Sequence, residues 1–192
     1  MQMLMFGGFI VFFLVVMGLI IMFFGIYNAL VASRENIKKA WANIDVILKQ
    51  RYDEIPQLVK ICEQYVKFEK SQIDRIMSAR EKMVSGPTID AKAEGFNQVT
   101  AGIKGLLAVG EAYPDLKSNT NFMHIQTRLT ALEETLADRR EFYNDSVNVF
   151  NIRIQSIPDV FLARMLGYIQ QQMFEVKAEE KVLPNLDINM NT

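Results

Sequence analysis

From Met3 to Ile26 every residue is apolar or glycine, and no charged side chain precedes Arg34. At about 1.5 Å of rise per residue, a helix over this stretch covers the roughly 30 Å hydrocarbon core of a bilayer. The expected organisation is a short outward N-terminus over 1–4 and a transmembrane helix over 5–27. A secretory signal would need a basic leader, a shorter apolar run and small residues at a cleavage point. Met1 to Leu4 hold no Lys or Arg, and Tyr27 and Leu30 stand where a peptidase requires small side chains.

Beyond Tyr27 the pattern changes from continuous to periodic. Ile37, Trp41, Ile44, Leu48, Ile55, Leu58, Cys62, Val66, Ile73, Ile76 and Met83 recur at spacings of three and four, one face of a helix with the look of a coiled-coil seam. No glycine interrupts Tyr27 to Ser85, so the membrane helix is expected to continue as a long stem, bent only at Pro56. Ser85-Gly86-Pro87 ends it. A second helix is expected from Thr88–Ala91 to about Ala112, with Phe96, Val99, Ile103, Leu106 and Leu107 on one face. Gly95, Gly102, Gly105 and Gly110 each cost helix stability, which tertiary packing against a close neighbour must offset.

Tyr113 to Asn119 is a connector, and Ser118 or Asn119 is placed to cap the next helix. The third helix has the cleanest stripe: Phe122, Ile125, Leu129, Leu132, Leu136, Tyr143, Val147, Phe150 and Ile154, ending before Pro158. A short fourth helix follows from Asp159 to about Gly167, then a polar tail with isolated Met173, Phe174, Val182 and Leu183. No run of alternating β-branched residues occurs. The fold class is therefore all-α: an N-terminal transmembrane helix continuing into an antiparallel bundle of three long helices and a short fourth. The bundle domain is assigned to 28–170 and the tail to 171–192. Glu69, Arg80 and Arg140 fall on apolar seams and need partners or a place at the bundle edge.

Charge adds an orientation. Across 192 residues, 21 basic and 22 acidic side chains nearly cancel, which argues against a nucleic-acid surface. Arg34, Lys38, Lys39, Lys49 and Arg51 nevertheless cluster just after the apolar run, while acidic residues gather near the C-terminus. Basic residues beside a membrane span stay cytoplasmic, so the N-terminus is expected outside and the bundle inside. A basic stem also suits an anionic lipid surface.

Candidate chemistry is sparse. The chain has one His and one Cys, His124 and Cys62. A closed zinc site needs more ligands than these, and Glu133-Glu134 and Glu179-Glu180 are adjacent pairs that diverge on a helix. Cys62 lies on an apolar stripe and is expected as a buried thiol. No catalytic residue, metal or cofactor is assigned, and no enzyme activity is expected. The Asn144 sequon has no meaning within a cytoplasmic helix. The connector residues Tyr113, Asp115 and Asn119 form the most unusual loop, explained first by turn and cap chemistry and second as a partner site.

Several blocks resemble one family. They are Tyr27 to Val31 with Arg34, Ala40 to Val46, Leu48 to Val59 around the proline, Glu111 to Asn119 with Phe122, and Tyr143-Asn144 followed by Phe150-Asn151, Ile154 and Pro158. In this order they are similar to the LemA family of bacterial membrane proteins. Gln50 and Glu54 depart from its usual basic and apolar residues. The resemblance implies one transmembrane helix, a short outward N-terminus and a helical bundle at the bacterial inner membrane. It implies no enzyme activity, and links members to membrane organisation, including that of magnetosomes.

Two functions are thus in competition. One is a membrane scaffold that self-associates, through Gly18 and Gly25 on one face of the span and through the stem residues Arg34, Lys38, Lys39 and Trp41 at the membrane exit. The other is an adaptor that docks a membrane or cytoplasmic protein through Tyr113, Asp115 and Asn119.

Overall fold

The computed structural model describes residues 2–68 and 70–175, all in helices and short connectors. Helix α1 runs from Gln2 to Glu63 without interruption. From Phe6 to Gly25 no residue of it is buried: Phe6, Phe9, Phe12 and Phe13 are 58–75% exposed. Beyond Ile26 it carries the periodic stripe, and there Leu30, Ile44, Leu48, Ile55, Leu58 and Cys62 are fully enclosed. One continuous helix therefore joins a membrane-length apolar segment to the bundle core. The fold class is all-α, as the periodicity requires.

The remaining elements are α2 (Lys70–Ser85), α3 (Ile89–Ala112), a single turn α4 (Pro114–Lys117), α5 (Thr120–Arg153) and α6 (Asp159–Met165). α5 lies antiparallel along α1, with Trp41 against Tyr143, Arg51 against Glu133 and Glu54 against Arg128. α2 and α3 form the second antiparallel pair, and both also pack on α1.

The stem to Ser85 is not one helix. α1 ends at Glu63, where the Ile61 carbonyl accepts from the Gln64 N–H and the Cys62 carbonyl from the Tyr65 and Val66 N–H groups. The chain then reverses into α2. Both halves are helical with the same period, and the turn contains neither glycine nor proline, so spacing alone conceals it. The reversal lets Ile76, Ala79 and Met83 bury in the bundle core. Glu69 lies outside the described residues.

α1 passes through Pro56 as a helix. Proline has no N–H, so the Tyr52 carbonyl four residues earlier loses its intrahelical donor. Arg80 on α2 replaces it: its Nε donates to the Tyr52 carbonyl at 2.6 Å, with the guanidinium 3.3 Å from the centre of the Tyr52 ring. The seam charge is thus the partner of the backbone group that the proline orphans. Arg80→Ala is expected to cost about 1.5–3 kcal/mol, the usual penalty for a lost hydrogen bond to a charged group. In a Pro56→Ala background, where the helix regains its own donor, the loss should shrink, which a double-mutant thermal-melt cycle would measure. Arg140, the other described seam charge, is half-buried.

The glycines of α3 divide by what they face. A Cβ at Gly95 would come within 2.5 Å of the Met83 backbone nitrogen, so α2 and α3 touch there backbone to backbone. At Gly102 and Gly110 it would meet the side chains of Ile76 and Phe122 instead. Gly105 faces open space. Gly95→Ala should therefore destabilise by about 2 kcal/mol through overpacking, while Gly105→Ala should stabilise by up to about 1 kcal/mol through helix propensity. Thermal unfolding in detergent distinguishes the two signs.

Candidate functional site

The N-cap of α3 is Thr88, whose side chain accepts from the Ala91 N–H, and that of α5 is Asn119, which accepts from the Asn121 and Phe122 N–H groups at 2.9 and 3.1 Å. The Asn119 amide also donates to the Tyr65 hydroxyl at 3.0 Å, tying the start of α5 to the chain leaving α1. Asn119 is thus committed to the fold. Tyr113 and Asp115 remain exposed, Asp115 in the first turn of α4, where a carboxylate suits the helix dipole.

At the opposite end, Gly18 and Gly25 have no neighbouring side chain within reach and lie on the open surface of α1. Lys38 is paired locally with Glu35, Lys39 is exposed, and Arg34 sits 5.3 Å over the ring of Tyr168. Trp41 turns inward: its ring packs edge-on against Tyr143 and Phe174, with the Lys92 ammonium 5.4 Å from it. The structure thus divides the stem residues between surface (Arg34, Lys38, Lys39) and core (Trp41). His124 is exposed on α5.

Sequence reasoning missed a polar rung between α1 and α5. Arg51 is only 3% exposed. Its guanidinium pairs with Glu133, donates to the Thr100 hydroxyl at 3.0 Å, and stacks 4.5 Å over the ring of Phe96. Burial pulls its pKa below the ordinary arginine value, and the Glu133 carboxylate works against that. Its Nε has no hydrogen-bond partner among the described residues. One turn on, the buried Glu54 carboxylate pairs with Arg128 at 2.6 Å. The departure at Glu54 therefore has its counterion on α5. Arg51 was visible as a break in the stripe between Leu48 and Ile55.

A second missed feature is the chain after α6. Gly167 adopts φ +68°, the left-handed conformation open to glycine, and Tyr168 donates back to the Ala163 carbonyl to close the helix. The following residues run extended along α5. The Asn151 side chain accepts from the Gln171 N–H at 2.8 Å and donates to its carbonyl at 2.9 Å. Asn144 does the same for Phe174, at 2.8 and 3.3 Å. Seven residues of helix and three of extended chain both advance about 10 Å, so two asparagines two turns apart can act as strand partners. Tyr143 donates to the Gln172 carbonyl at 2.9 Å, and burial raises its phenol pKa to about 12. Phe174 is fully buried against Trp41 and Phe96. Residues 171–175, expected as polar tail, therefore belong to the bundle. The remainder of that tail, with Val182 and Leu183, lies outside the described residues. The legible signal was the repeated aromatic-Asn pair, Tyr143-Asn144 and Phe150-Asn151.

Among the described residues no three His, Cys, Asp or Glu side chains converge. Cys62 is a buried free thiol whose pKa burial, assisted by Glu63, raises to about 11. What the fold offers, among the described residues, is one helix long and apolar enough to cross a membrane, continuous with the helix of the bundle core. That arrangement defines a membrane-associated helical protein. The chain belongs to the LemA family, whose profile matches residues 40–188. It is also similar to magnetosome proteins MamQ 2 and MamQ 1 of Paramagnetospirillum magneticum, each 27% identical with 79% of this chain and 65% of theirs covered. Magnetosome protein MamQ of Magnetospirillum gryphiswaldense is 25% identical over the same shares. The chain thus spans about two thirds of the length of these curated relatives.

Proposed function

We propose that this protein is a non-enzymatic scaffold of the bacterial inner membrane, inserted once with its N-terminus outside and its bundle in the cytoplasm, and acting as a self-associated assembly. The observation that carries this reading is the continuity of α1. A helix unbroken from its bare apolar half into a packed core holds the bundle at a fixed angle to the bilayer. A rigid post of this kind transmits position and orientation, which a flexible tether does not.

Two faces support association between copies. On the membrane segment, Gly18 and Gly25 lie seven residues apart with open space before them, allowing close helix approach. On α5, Phe142, Val149 and Ile152 form an exposed apolar stripe turned away from α1. The likeness to magnetosome proteins favours a role in organising membrane. Sedimentation of the detergent-solubilised full chain should show a defined oligomer at micromolar concentration, and a clean monomer would reject self-association. A reporter fused after Thr192 should be active in the cytoplasm; activity only outside it would reverse the topology.

The adaptor reading retains the exposed pair Tyr113 and Asp115. A protein captured by the wild type and lost with Asp115→Ala would favour it over the scaffold.

A further inference from the structure

α6 and its flanks expose large apolar side chains to a degree unusual for a water-facing surface. Ile157 is 80% exposed, Phe161 and Met165 each 68%, and Ile169 73%. Phe161 and Met165, four residues apart within α6, share its outer face, with Ile157 just before the helix and Ile169 just after it, while Leu162 and Ala163 on the other side are buried. A soluble domain rarely leaves such a cluster open without a partner.

The position of the cluster identifies that partner. α1 and α5 keep an antiparallel register through Glu54 with Arg128, Arg51 with Glu133 and Trp41 with Tyr143. Each step back along α1 matches a step forward along α5. Extending that register to the C-cap of α5 places Ile154 opposite Leu30, four residues from Ile26, the last residue of the uninterrupted apolar run, and α6, which begins at Asp159, packs on α1. The chain then returns to the level of Arg34, where Tyr168 meets its guanidinium. α6 therefore sits beside α1 within the zone where the membrane segment meets water. The nearby charge suits that zone: Arg34 and Arg164 are exposed and basic, while Asp159 is neutralised by Arg153 at 2.5 Å.

We propose that Ile157, Phe161, Met165 and Ile169 form a second membrane contact, embedded at the headgroup level of the same leaflet that α1 enters. The inference rests on the reading that α1 spans the bilayer. A short helix with an apolar outer face and flanking arginines is suited to lie in that layer, its ring and thioether below the headgroups and its cations among them. Two contacts on one rigid body fix the bundle in rotation as well as tilt, so every copy presents the same side to its neighbours.

The test uses the full chain reconstituted at low density in phosphatidylcholine–phosphatidylglycerol vesicles. Nitroxide labels are placed singly through Leu14→Cys, Phe161→Cys, Met165→Cys and Met123→Cys, the native Cys62 thiol being buried out of reach. Collision with oxygen and with a polar nickel complex reports immersion. The expected result is that labels at 161 and 165 favour oxygen, as the label at 14 does, while the label at 123 favours nickel. Labels at 161 and 165 that favour nickel while the label at 14 stays immersed would overturn the second contact and leave the anchor standing. Shielding of both from either reagent would assign the face to a second protein copy and likewise overturn it. An aqueous label at 14 would remove the anchor and the inference together.

Discussion

Phe174→Ala is expected to lower the unfolding free energy of the detergent-solubilised chain by about 3 kcal/mol, the lower end for truncating a buried aromatic, since the segment that carries it can partly relax. For a chain of this size that corresponds to a fall of roughly 6–12 °C in Tm. The ring fills the space between Trp41 on α1 and Phe96 on α3, while the backbone at 171 and 174 is held by Asn151 and Asn144 on α5. Its removal should therefore loosen three helices through one side chain. Tryptophan emission supplies a local readout, because Trp41 packs on Phe174 and should shift to the red. A loss below about 1 kcal/mol would show that the segment after α6 rests on the bundle without closing it.

Glu133→Ala should be nearly as damaging for an electrostatic reason. The substitution removes a half-exposed carboxylate but leaves Arg51, 3% exposed, without its counterion. Stranding one member of a buried pair costs roughly 3–5 kcal/mol, and the partial exposure of Glu133 places this case near 3. Thr100 and the Phe96 ring remain as partners but carry no compensating charge. Arg51→Met removes the charge that needs solvation and keeps the bulk, so it should be close to neutral and should rescue much of the Glu133→Ala loss. Equal destabilisation by both single changes, with no rescue in the double, would show that the pair acts only through packing.

The bilayer-length segment, the all-helical class, the extents of α3, α5 and α6 to within a few residues, and the inward faces of α3 and α5 were legible because each rests on local spacing. Ile89–Ala112 follows from apolar period, and Thr120–Arg153 with its Asn119 cap from period and cap chemistry, both of which act within a few residues. The resemblance carried by the blocks around Pro56 and Tyr113-Pro114-Asp115 gave the family for the same reason: it is a property of residue order. The candidate contacts were less legible. Arg34, Lys38 and Lys39 lie on the surface, whereas Trp41, expected as a contact at the membrane exit, packs inward against Tyr143 and Phe174, and Asn119 serves as the helix cap, the first of its two readings.

What the chain's order alone determined is which segments are helical, which face of each is apolar, and that one segment is too apolar for water. Only the tertiary structure decided where the stem reverses, since a helix-period stripe reads alike on one helix or on two antiparallel ones. Only it supplied Arg80 to the carbonyl that Pro56 orphans, Glu133 to Arg51, and Asn144 and Asn151 to the extended chain that ends at Phe174. These are pairings between residues far apart in the chain, fixed when the helices dock and by no rule that runs along the sequence. The same docking brings the apolar side of α6 to the level at which α1 leaves the bundle.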